Sequence, residues 1–383
     1  MMRTSSVRLL ALAVLLLLAA LPTALRAQGN LSTQGFGYPT GQLSTRALGA
    51  GGAIGEIDPV SATNPASIAG ITSSLLYFQA EPEYRTLRVG DLSERTTIAR
   101  YPLVTAAVPV TESLVLGLSL SNLLDRSFQT RSRGTQRLRD TTLATTNVFK
   151  SDGAIGDVRL GLGWTPRSWL RLGIAAHAIT GDNRLNNSQT FDDSTRFARL
   201  IDTTTVGYTG NAFSGGIELL ASGLGAVTAS YRRGGPLSLK RGDTTVANAH
   251  VPDHMSFSAV FLGLRGASIG VRTSKDSWSR MATLGSTRLN ITDAWDSSIG
   301  ADVPGPRLFS QVLQLRVGAR ARTLPFGLPT SSVKENSYSF GAGTLLSNGR
   351  AALDVAGIHA SRDAGAGASE TAWTLSVGIT VRP

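Results

Sequence analysis

Hydrophobic and polar side chains alternate strictly along residues 158–176. The residues that share the apolar face are Val158, Leu160, Leu162, Trp164, Leu170, Leu172, Ile174 and Ala176. The opposite face is mostly glycine and charged or polar residues: Asp157, Arg159, Gly161, Gly163, Arg171, Gly173 and His177. A period of two on either side of a short break at Pro166 predicts an antiparallel β-hairpin. Strands with one apolar face and one face of glycine and arginine are typical of a membrane β-barrel, where lipid covers the first face and a wet lumen the second.

The same alternation recurs in fourteen segments downstream of Ser73. We expect strands at residues 74–88, 95–110, 114–129, 155–164, 169–181, 203–220, 225–235, 251–262, 267–275, 293–303, 311–323, 336–346, 350–361 and 371–381. Short breaks follow the even-numbered strands, at residues 111–112, 165–168, 222–223, 263–266, 304–307 and 347–349. Long polar connections follow odd-numbered strands, at residues 131–153, 181–202 and 234–250. Membrane barrels alternate short periplasmic turns with longer outer loops, so we expect both ends of the barrel chain in the periplasm.

The first residues have the pattern of a secretory signal peptide. Arg3 and Arg8 precede an apolar run at residues 9–21, and the small residue Ala27 precedes an expected cleavage before Gln28. The apolar run is shorter than the roughly 20 residues that a membrane-spanning helix needs. We therefore predict an exported protein whose residues 1–27 are removed.

Composition narrows the function classes. The chain has no cysteine, which excludes disulfides, thiol catalysis and cysteine-ligated zinc. Its formal net charge is +11, but the arginines are scattered singly along alternating strands, so we expect no nucleic acid partner. The mean hydropathy of +0.04 fits strands with one polar and one apolar face. Aromatic residues make up only 6%, and the candidates for the aromatic belts at the membrane surfaces are Trp164, Trp295 and Trp373.

The region before the strands has a different composition. Gly, Ala, Ser, Pro and Asn dominate residues 29–71, and no strand periodicity is present. A dinucleotide site at Gly49, Gly51 and Gly55 is disfavoured, because no strand precedes these glycines and their spacing is wrong. We expect a compact plug in which small residues let the backbone pack closely, with a bend or short helix starting at Asn64-Pro65.

These residues carry a resemblance. Leu48-Gly49, a Gly- and Ala-rich run, an acidic residue and then Asn64-Pro65-Ala66 resemble the N-terminal hatch of the FadL/OmpP1/TodX family of outer-membrane transporters, including its PorV-like branch. The resemblance implies a 14-stranded barrel at residues 73–383, plugged by a hatch at residues 28–72. In such a transporter, a bend at Asn64, Pro65 and Ala66 would aim the plug at a gap in the wall and set its closed state, which is a substrate or gating role. The alternative is that these residues only start a short structural helix. Family members commonly end in an aromatic residue, whereas this chain ends in Arg382-Pro383.

Five arginines are predicted to face the lumen from strand parity: Arg159, Arg171, Arg272, Arg316 and Arg320. A charge facing lipid would cost roughly 2–4 kcal/mol at the midplane, which favours the inward orientation. Most are expected to pair with carboxylates such as Asp157, Glu218, Asp302 and Asp354 and so hold the plug. One or two could instead bind the carboxylate of an amphipathic substrate, since a guanidinium matches that geometry.

An enzyme is not expected. The chain has four histidines, His177, His250, His254 and His359, and no Gly-x-Ser-x-Gly motif. His250, Asp253 and His254 could bind a metal, but a chance polar cluster is favoured, and we predict neither a metal nor a cofactor.

The family resemblance implies passive uptake of hydrophobic molecules, long-chain fatty acids being its typical substrate, by a monomer in the outer membrane. The implied partners are these small molecules, outer-membrane lipids and the barrel-assembly machinery. The alternatives are a PorV-like protein that serves protein secretion or anchors partners, and a general diffusion pore without a plug.

Overall fold

The computed structural model describes residue 33 and residues 35–90, 92–138, 141–192, 196–264, 266–284, 290–308, 311–328, 331–364 and 368–383. The predicted signal peptide, residues 1–27, lies outside the described residues. No helix among the described residues is long and apolar enough to cross a membrane.

The described chain is dominated by strand segments. They are β1 Tyr38–Pro39, β2 Leu75–Val89, β3 Leu92–Arg100, β4 Leu103–Pro109, β5 Leu114–Asp125, β6 Phe128–Leu138, β7 Thr141–Arg167, β8 Leu170–Phe191, β9 Leu200–Ala221, β10 Gly225–Arg241, β11 Thr244–His250, β12 His254–Leu264, β13 Ala267–Asp276, β14 Asn290–Ile291, β15 Ala294–Leu308, β16 Gln311–Leu328, β17 Ser331–Leu346, β18 Ala351–Asp363 and β19 Ala368–Val381. The short helices are α1 Thr45–Gly49 and three 3₁₀ helices at Pro65–Gly70, Trp278–Leu284 and Ser347–Gly349.

The strands close into one antiparallel barrel. The last segment β19 pairs with β2, with Trp373 opposite Tyr84, so the sheet joins its own beginning. Four wall strands are interrupted and consist of two segments each: β3 with β4, β5 with β6, β11 with β12, and β14 with β15. Segments β2–β19 therefore form 14 wall strands, and the predicted fold class and strand number are confirmed.

The two faces of the wall differ as predicted. On β7, Leu160 points outward and is 53% exposed, while the neighbouring Arg159 points inward and is 1% exposed. On β5, Leu116, Leu118 and Leu120 are exposed, and the residues between them are buried glycine and serine. This outward row of leucines is the surface that lipid covers in a membrane barrel.

The prediction that residues 131–153, 181–202 and 234–250 form long connections without strands is wrong. These residues largely extend the hairpins, with Phe128 paired to Ser151, Ser151 to Leu185 and Leu239 to Ala247. The many threonines in these extensions favour strands. Beyond the membrane, however, both faces of a strand meet polar surroundings, so hydrophobic and polar residues no longer alternate. The break predicted at residues 304–307 is also wrong. It is a bulge within β15, because the register shifts between Pro304 and Arg307.

The wall is discontinuous between two neighbouring strands. The first is interrupted after β3, at Tyr101-Pro102, and the second after β5, at Arg126-Ser127. Proline has no N–H to donate and is expected where pairing ends. Segments β4 and β5 pair, but among the described residues no backbone pairing joins β3 to β6. Next to this unpaired part of the wall, the short strand β1 pairs with β5. Tyr38 lies opposite Asp125, and Pro39 lies opposite Leu124.

Residues 35–72, called the N-terminal segment below, fold against the inner wall. Ser44 caps α1 by accepting a hydrogen bond from the Ala47 N–H, as Asn64 does for the 3₁₀ helix from the Ala66 N–H. Pro65 occupies the first turn of that helix, where its missing N–H costs nothing. The short helix predicted to start at Asn64-Pro65 is present. A hydrophobic cluster lies at the end of the barrel from which the long hairpins extend, called the hairpin end below. Its buried members include Phe36, Ile155, Leu237, Trp278 and Phe326.

Candidate functional site: the lumen and the N-terminal segment

Two groups of wall glycines make room for the N-terminal segment. A Cβ at Gly173 would overlap the backbone of Pro65 and Ala66, and one at Gly216 would overlap the Asn64 side chain. On the far side of the barrel, a Cβ at Gly300 or Gly318 would overlap the backbone of Ala50. Glycine is therefore required at these wall positions because another backbone lies directly against them.

Asn64, Pro65 and Ala66 lie in one of these tight contacts. Asn64 is fully buried, and its Nδ2 donates to the Glu56 carbonyl oxygen at 3.0 Å while its Oδ1 accepts from the Ala66 N–H at 2.9 Å. Ser67 Oγ donates to the Asn64 carbonyl oxygen at 2.8 Å. The three predicted residues thus form a hydrogen-bonded bend that packs against β8 and β9. This bend and α1 lie on opposite sides of the N-terminal segment.

Three of the five arginines are buried, and Arg171 and Arg320 are partly buried. Four of the five have carboxylate partners. Arg171 Nη1 lies 3.1 Å from Glu218 Oε1. Arg316 pairs with Asp302 at 3.1 Å and with Asp354 at 2.5 Å. Arg320 pairs with Asp296, with the Nε–Oδ1 distance 2.8 Å. Three of the suggested carboxylates, Glu218, Asp302 and Asp354, do bind these arginines.

Arg272 joins the wall to the N-terminal segment. Its Nε lies 3.0 Å from Glu56 Oε1, and its Nη1 lies 3.2 Å from Asp296 Oδ2. Burial alone would raise the pKa of the Glu56 carboxyl, but the charges of Arg272 and His254 and the Arg272 hydrogen bond hold that pKa below its usual value. Glu56 is therefore ionised at neutral pH, which makes this a buried ion pair between the N-terminal segment and the wall.

Arg159 differs from the other four. It is 1% exposed, its Nε donates to Ser119 Oγ at 3.2 Å, and its Nη1 has no hydrogen-bond partner. The suggested carboxylate Asp157 does not bind Arg159. It instead binds His177, at 2.9 Å, and faces Arg232, at 3.6 Å.

The sequence reading missed the cluster around Tyr38. Four guanidinium groups lie 4.8–5.4 Å from the Tyr38 ring centroid, those of Arg85, Arg100, Arg322 and Arg362. The carboxylates that neutralise these guanidinium groups are Asp125, Glu83, Glu335 and Glu370. Tyr38 Oη donates to Glu335 Oε2 at 3.1 Å and accepts from Arg362 Nη2 at 3.0 Å. The cluster fixes β1 beside the wall discontinuity through charged hydrogen bonds and cation–π contacts.

A detectable signal for this cluster was present in β2. Gln79, Glu81, Glu83 and Arg85 occupy every second position there, which marks a charged inward row. Tyr38 itself carries no such signal, because it belongs to a two-residue strand.

The sequence reading also missed a polar chain on β7, β8 and β9. His177 Nδ1 lies 2.9 Å from Asp157 Oδ1, and His177 Nε2 lies 2.8 Å from Ser214 Oγ. Gln42 of the N-terminal segment donates from Nε2 to Asp157 Oδ2 at 2.9 Å and accepts from Arg232 Nη1 at 3.0 Å. Strand parity identifies each of these wall residues as inward, but not the diagonal contacts between strands.

The described residues enclose a cavity of about 800 Å³ in the lumen, at the end with the short turns. Charged side chains line it beneath the N-terminal segment, including Arg46, Asp58, Arg307, Arg316 and Arg382. A smaller cavity of about 40 Å³ lies on the other side of the segment, lined by Gln42, Thr63, Arg232 and Arg272 among others. Residues of the N-terminal segment line both cavities.

The described residues contain no group of three side chains placed to hold a metal ion. His254 Nδ1 lies 2.8 Å from Asp276 Oδ1, while Asp253 accepts hydrogen bonds from Arg280 and the Gly234 N–H, each at 2.8 Å. The two histidines and Asp253 therefore do not form a ligand set.

Searches of protein-family models and of curated proteins find no match to this chain. Solved structures do match. A FadL homologue of Pseudomonas aeruginosa has a TM-score of 0.63 and 12% identity, covering 90% of this chain and 99% of that one. The toluene transporter TbuX of Ralstonia pickettii has a TM-score of 0.59, with 11% identity and coverage of 89% and 98%. The toluene transporter TodX of P. putida has a TM-score of 0.57, with 10% identity and coverage of 90% and 99%. The chain has the fold of FadL-type barrels, as its N-terminal resemblance predicts.

Proposed function

We propose that the chain is an outer-membrane channel for passive uptake of hydrophobic molecules, with residues 28–72 as a hatch inside the barrel of residues 73–383. The observation that carries the proposal is the discontinuity of the wall between β3 and β6, beside β1. Unpaired backbone is costly next to lipid, so a closed barrel without a lateral function is not expected to keep such a site.

Apolar residues adjoin this discontinuity on both sides of the wall. Outside, Tyr101 is 53% exposed and its ring lies 5.9 Å from that of Phe78. Inside, Leu123, Leu124 and Phe36 are buried and belong to the cluster at the hairpin end of the barrel. A hydrophobic molecule that enters here would therefore meet these apolar side chains, next to the charged cluster around Tyr38.

The substrate class follows from this apolar route and from the resemblance. Long-chain fatty acids are the substrate that the resemblance implies, and two of the similar structures are of toluene transporters, so monoaromatic hydrocarbons are an equal candidate. We propose an outer-membrane location, insertion by the barrel-assembly machinery and a monomeric state on the same basis. The outward leucines of β5 and β7 are the lipid contact.

Uptake by cells that lack their own hydrophobic-compound channels tests the proposal. Cells expressing the chain should accumulate labelled toluene or oleate faster than cells with an empty vector, and the preferred compound identifies the substrate class. A hydrophilic sugar of similar size should not enter faster. Entry of the sugar would indicate a general pore, and no uptake by a correctly folded barrel would favour the PorV-like secretion role.

A further inference from the structure

We propose that Ser214, His177 and Asp157 form a nucleophilic triad in the lumen that transfers acyl groups from small carboxylic esters to water. The proposal does not rest on the transport function. It departs from the expectation from sequence that the chain is not an enzyme, because the three residues lie on three neighbouring strands and leave no local motif.

The hydrogen bonds define the direction of the triad. A carboxylate only accepts, so the 2.9 Å contact with Asp157 requires the proton on His177 Nδ1. In the neutral ring Nε2 is then an acceptor, and the Ser214 hydroxyl must donate to it over 2.8 Å. A serine whose hydroxyl donates to a histidine that is oriented by a carboxylate is the arrangement that activates the hydroxyl as a nucleophile.

Asp157 is itself held in place. Gln42 Nε2 donates to its Oδ2 at 2.9 Å, and Arg232 Nη1 lies 3.6 Å away. Asp157 is 1% exposed, His177 5% and Ser214 9%, so Ser214 is the least buried member of the triad. The hydroxyl that would accept the acyl group is thus less buried than the carboxylate that orients the histidine, as a nucleophilic triad requires.

Two guanidinium groups flank the triad with unused donors. Arg232 is the register neighbour of Ser214 on β10, and its buried Nε has no hydrogen-bond partner. Arg159 is the register neighbour of His177 on β7, and its Nη1 is buried and unpartnered. Directly opposed residues on one sheet face lie about 5 Å apart at Cβ, so Arg232 can reach an oxyanion formed at Ser214.

The reaction balances with water as the only co-reactant. Ser214 Oγ attacks the ester carbonyl carbon while His177 Nε2 takes the hydroxyl proton, and the carbonyl oxygen becomes negative beside Arg232. The bond between the acyl carbon and the alcohol oxygen breaks, and the alcohol leaves with the proton from His177. Water then attacks the acyl-serine, giving a proton to His177, and the acid leaves as Ser214 Oγ regains that proton. The close contact of Asn64 with the nearby Gly216 restricts the acyl group to a small one.

A fluorophosphonate probe tests the proposal on the purified full chain in detergent, with peptide mapping by mass spectrometry. Label is expected on Ser214. The matched control is Ser298, a lumen serine that is 8% exposed and whose Oγ has no hydrogen-bond partner. It should remain unlabelled, and Ser298→Ala should hydrolyse p-nitrophenyl acetate at the rate of the unsubstituted chain.

Two variants complete the test, each checked for folding by heat-modifiable migration. Ser214→Ala should lose the label and the hydrolysis, and His177→Gln should lose at least about 100-fold in both rates, the lower end of what a general base contributes. The proposal is overturned if folded protein carries no label at Ser214, if Ser298 is labelled equally, or if His177→Gln reacts as fast as the unsubstituted chain.

Discussion

Arg272 of the wall and Glu56 of the N-terminal segment face each other inside the barrel, with Nε and Oε1 3.0 Å apart. Glu56 is fully buried and Arg272 is 4% exposed. Breaking a buried ion pair from one side typically costs about 3–5 kcal/mol, because the remaining charge is left without its partner. This one contact therefore couples the position of the N-terminal segment to the stability of the barrel.

The first prediction concerns the stability of the protein at acidic pH. Because the pKa of folded Glu56 lies below its usual value, ionised Glu56 contributes stability above the pKa of the unfolded chain, and that contribution is lost as pH falls through the folded value. Glu56→Gln should lower the free energy of unfolding at pH 7, by on the order of 3 kcal/mol. It should also reduce the loss of stability on acidification, as measured by urea unfolding in detergent. Asp152→Asn, which breaks the exposed pair with Lys150, is the control and should change neither quantity. Equal acid sensitivity of Glu56→Gln and the unsubstituted chain would contradict the assignment.

The second prediction concerns the wall glycines. Gly173→Val should displace the N-terminal segment, because the new side chain would occupy the position of the Pro65 backbone. We expect a loss of about 1–3 kcal/mol, as in other overpacked interiors, and faster proteolysis within residues 35–72. Gly215→Val is the matched control, because a Cβ there has its nearest neighbour at 3.9 Å and the flanking Phe213 is exposed. Equal protease resistance of the two folded variants would show that the segment does not depend on the glycine contact.

The third prediction concerns Asn64 and Pro65. If their bend sets the closed state of the hatch, replacing both by Ala should change uptake of the hydrophobic substrate while heat-modifiable migration of the barrel stays intact. The bend is held by the Asn64 hydrogen bonds to Glu56 and Ala66, both of which the substitution removes. Equal loss of uptake and of folded barrel would assign the motif to assembly. Unchanged uptake in a stably folded double variant would remove the gating role.

The fourth prediction concerns orientation in the membrane. An epitope inserted between Leu138 and Thr141, within the long β6–β7 hairpin, should bind antibody on whole cells. An epitope at Ser347–Gly349 should be reached only after the outer membrane is opened, because this turn belongs to the set of short connections. Antibody binding to the second epitope on intact cells would reverse the topology.

The wall was predictable from sequence because alternation is a local property. Leu160 and Arg159 could be assigned to opposite faces from parity alone, and the burial of the two side chains agrees. The hairpin extensions were not predictable in this way, because β6 and the start of β7 lie between polar surroundings on both faces. Thr and Ser there signal strand propensity without a period.

The contacts inside the lumen were not predictable from parity. Parity shows that Arg272 and His177 point inward, but their partners Glu56 and Ser214 lie 216 and 37 positions away along the chain. Which inward residues meet depends on the stagger of the strands and on the path of the N-terminal segment. Tyr38 shows the limit most clearly, since its four arginine neighbours come from four different wall segments.

The wall discontinuity between β3 and β6 is the basis of the proposed route, and bridging it is the most direct test. The chain has no cysteine, so a pair introduced at Ala99 and Thr130, both exposed, can be joined selectively by a cleavable bis-maleimide. The control is a pair at Val317 and Phe340, which are exposed and lie opposite each other in the paired wall. Bridging Ala99 to Thr130 should reduce uptake of the hydrophobic substrate to background, and cleaving the bridge should restore it, while the control bridge leaves uptake unchanged. Full uptake through a barrel bridged at Ala99 and Thr130 would contradict the lateral route.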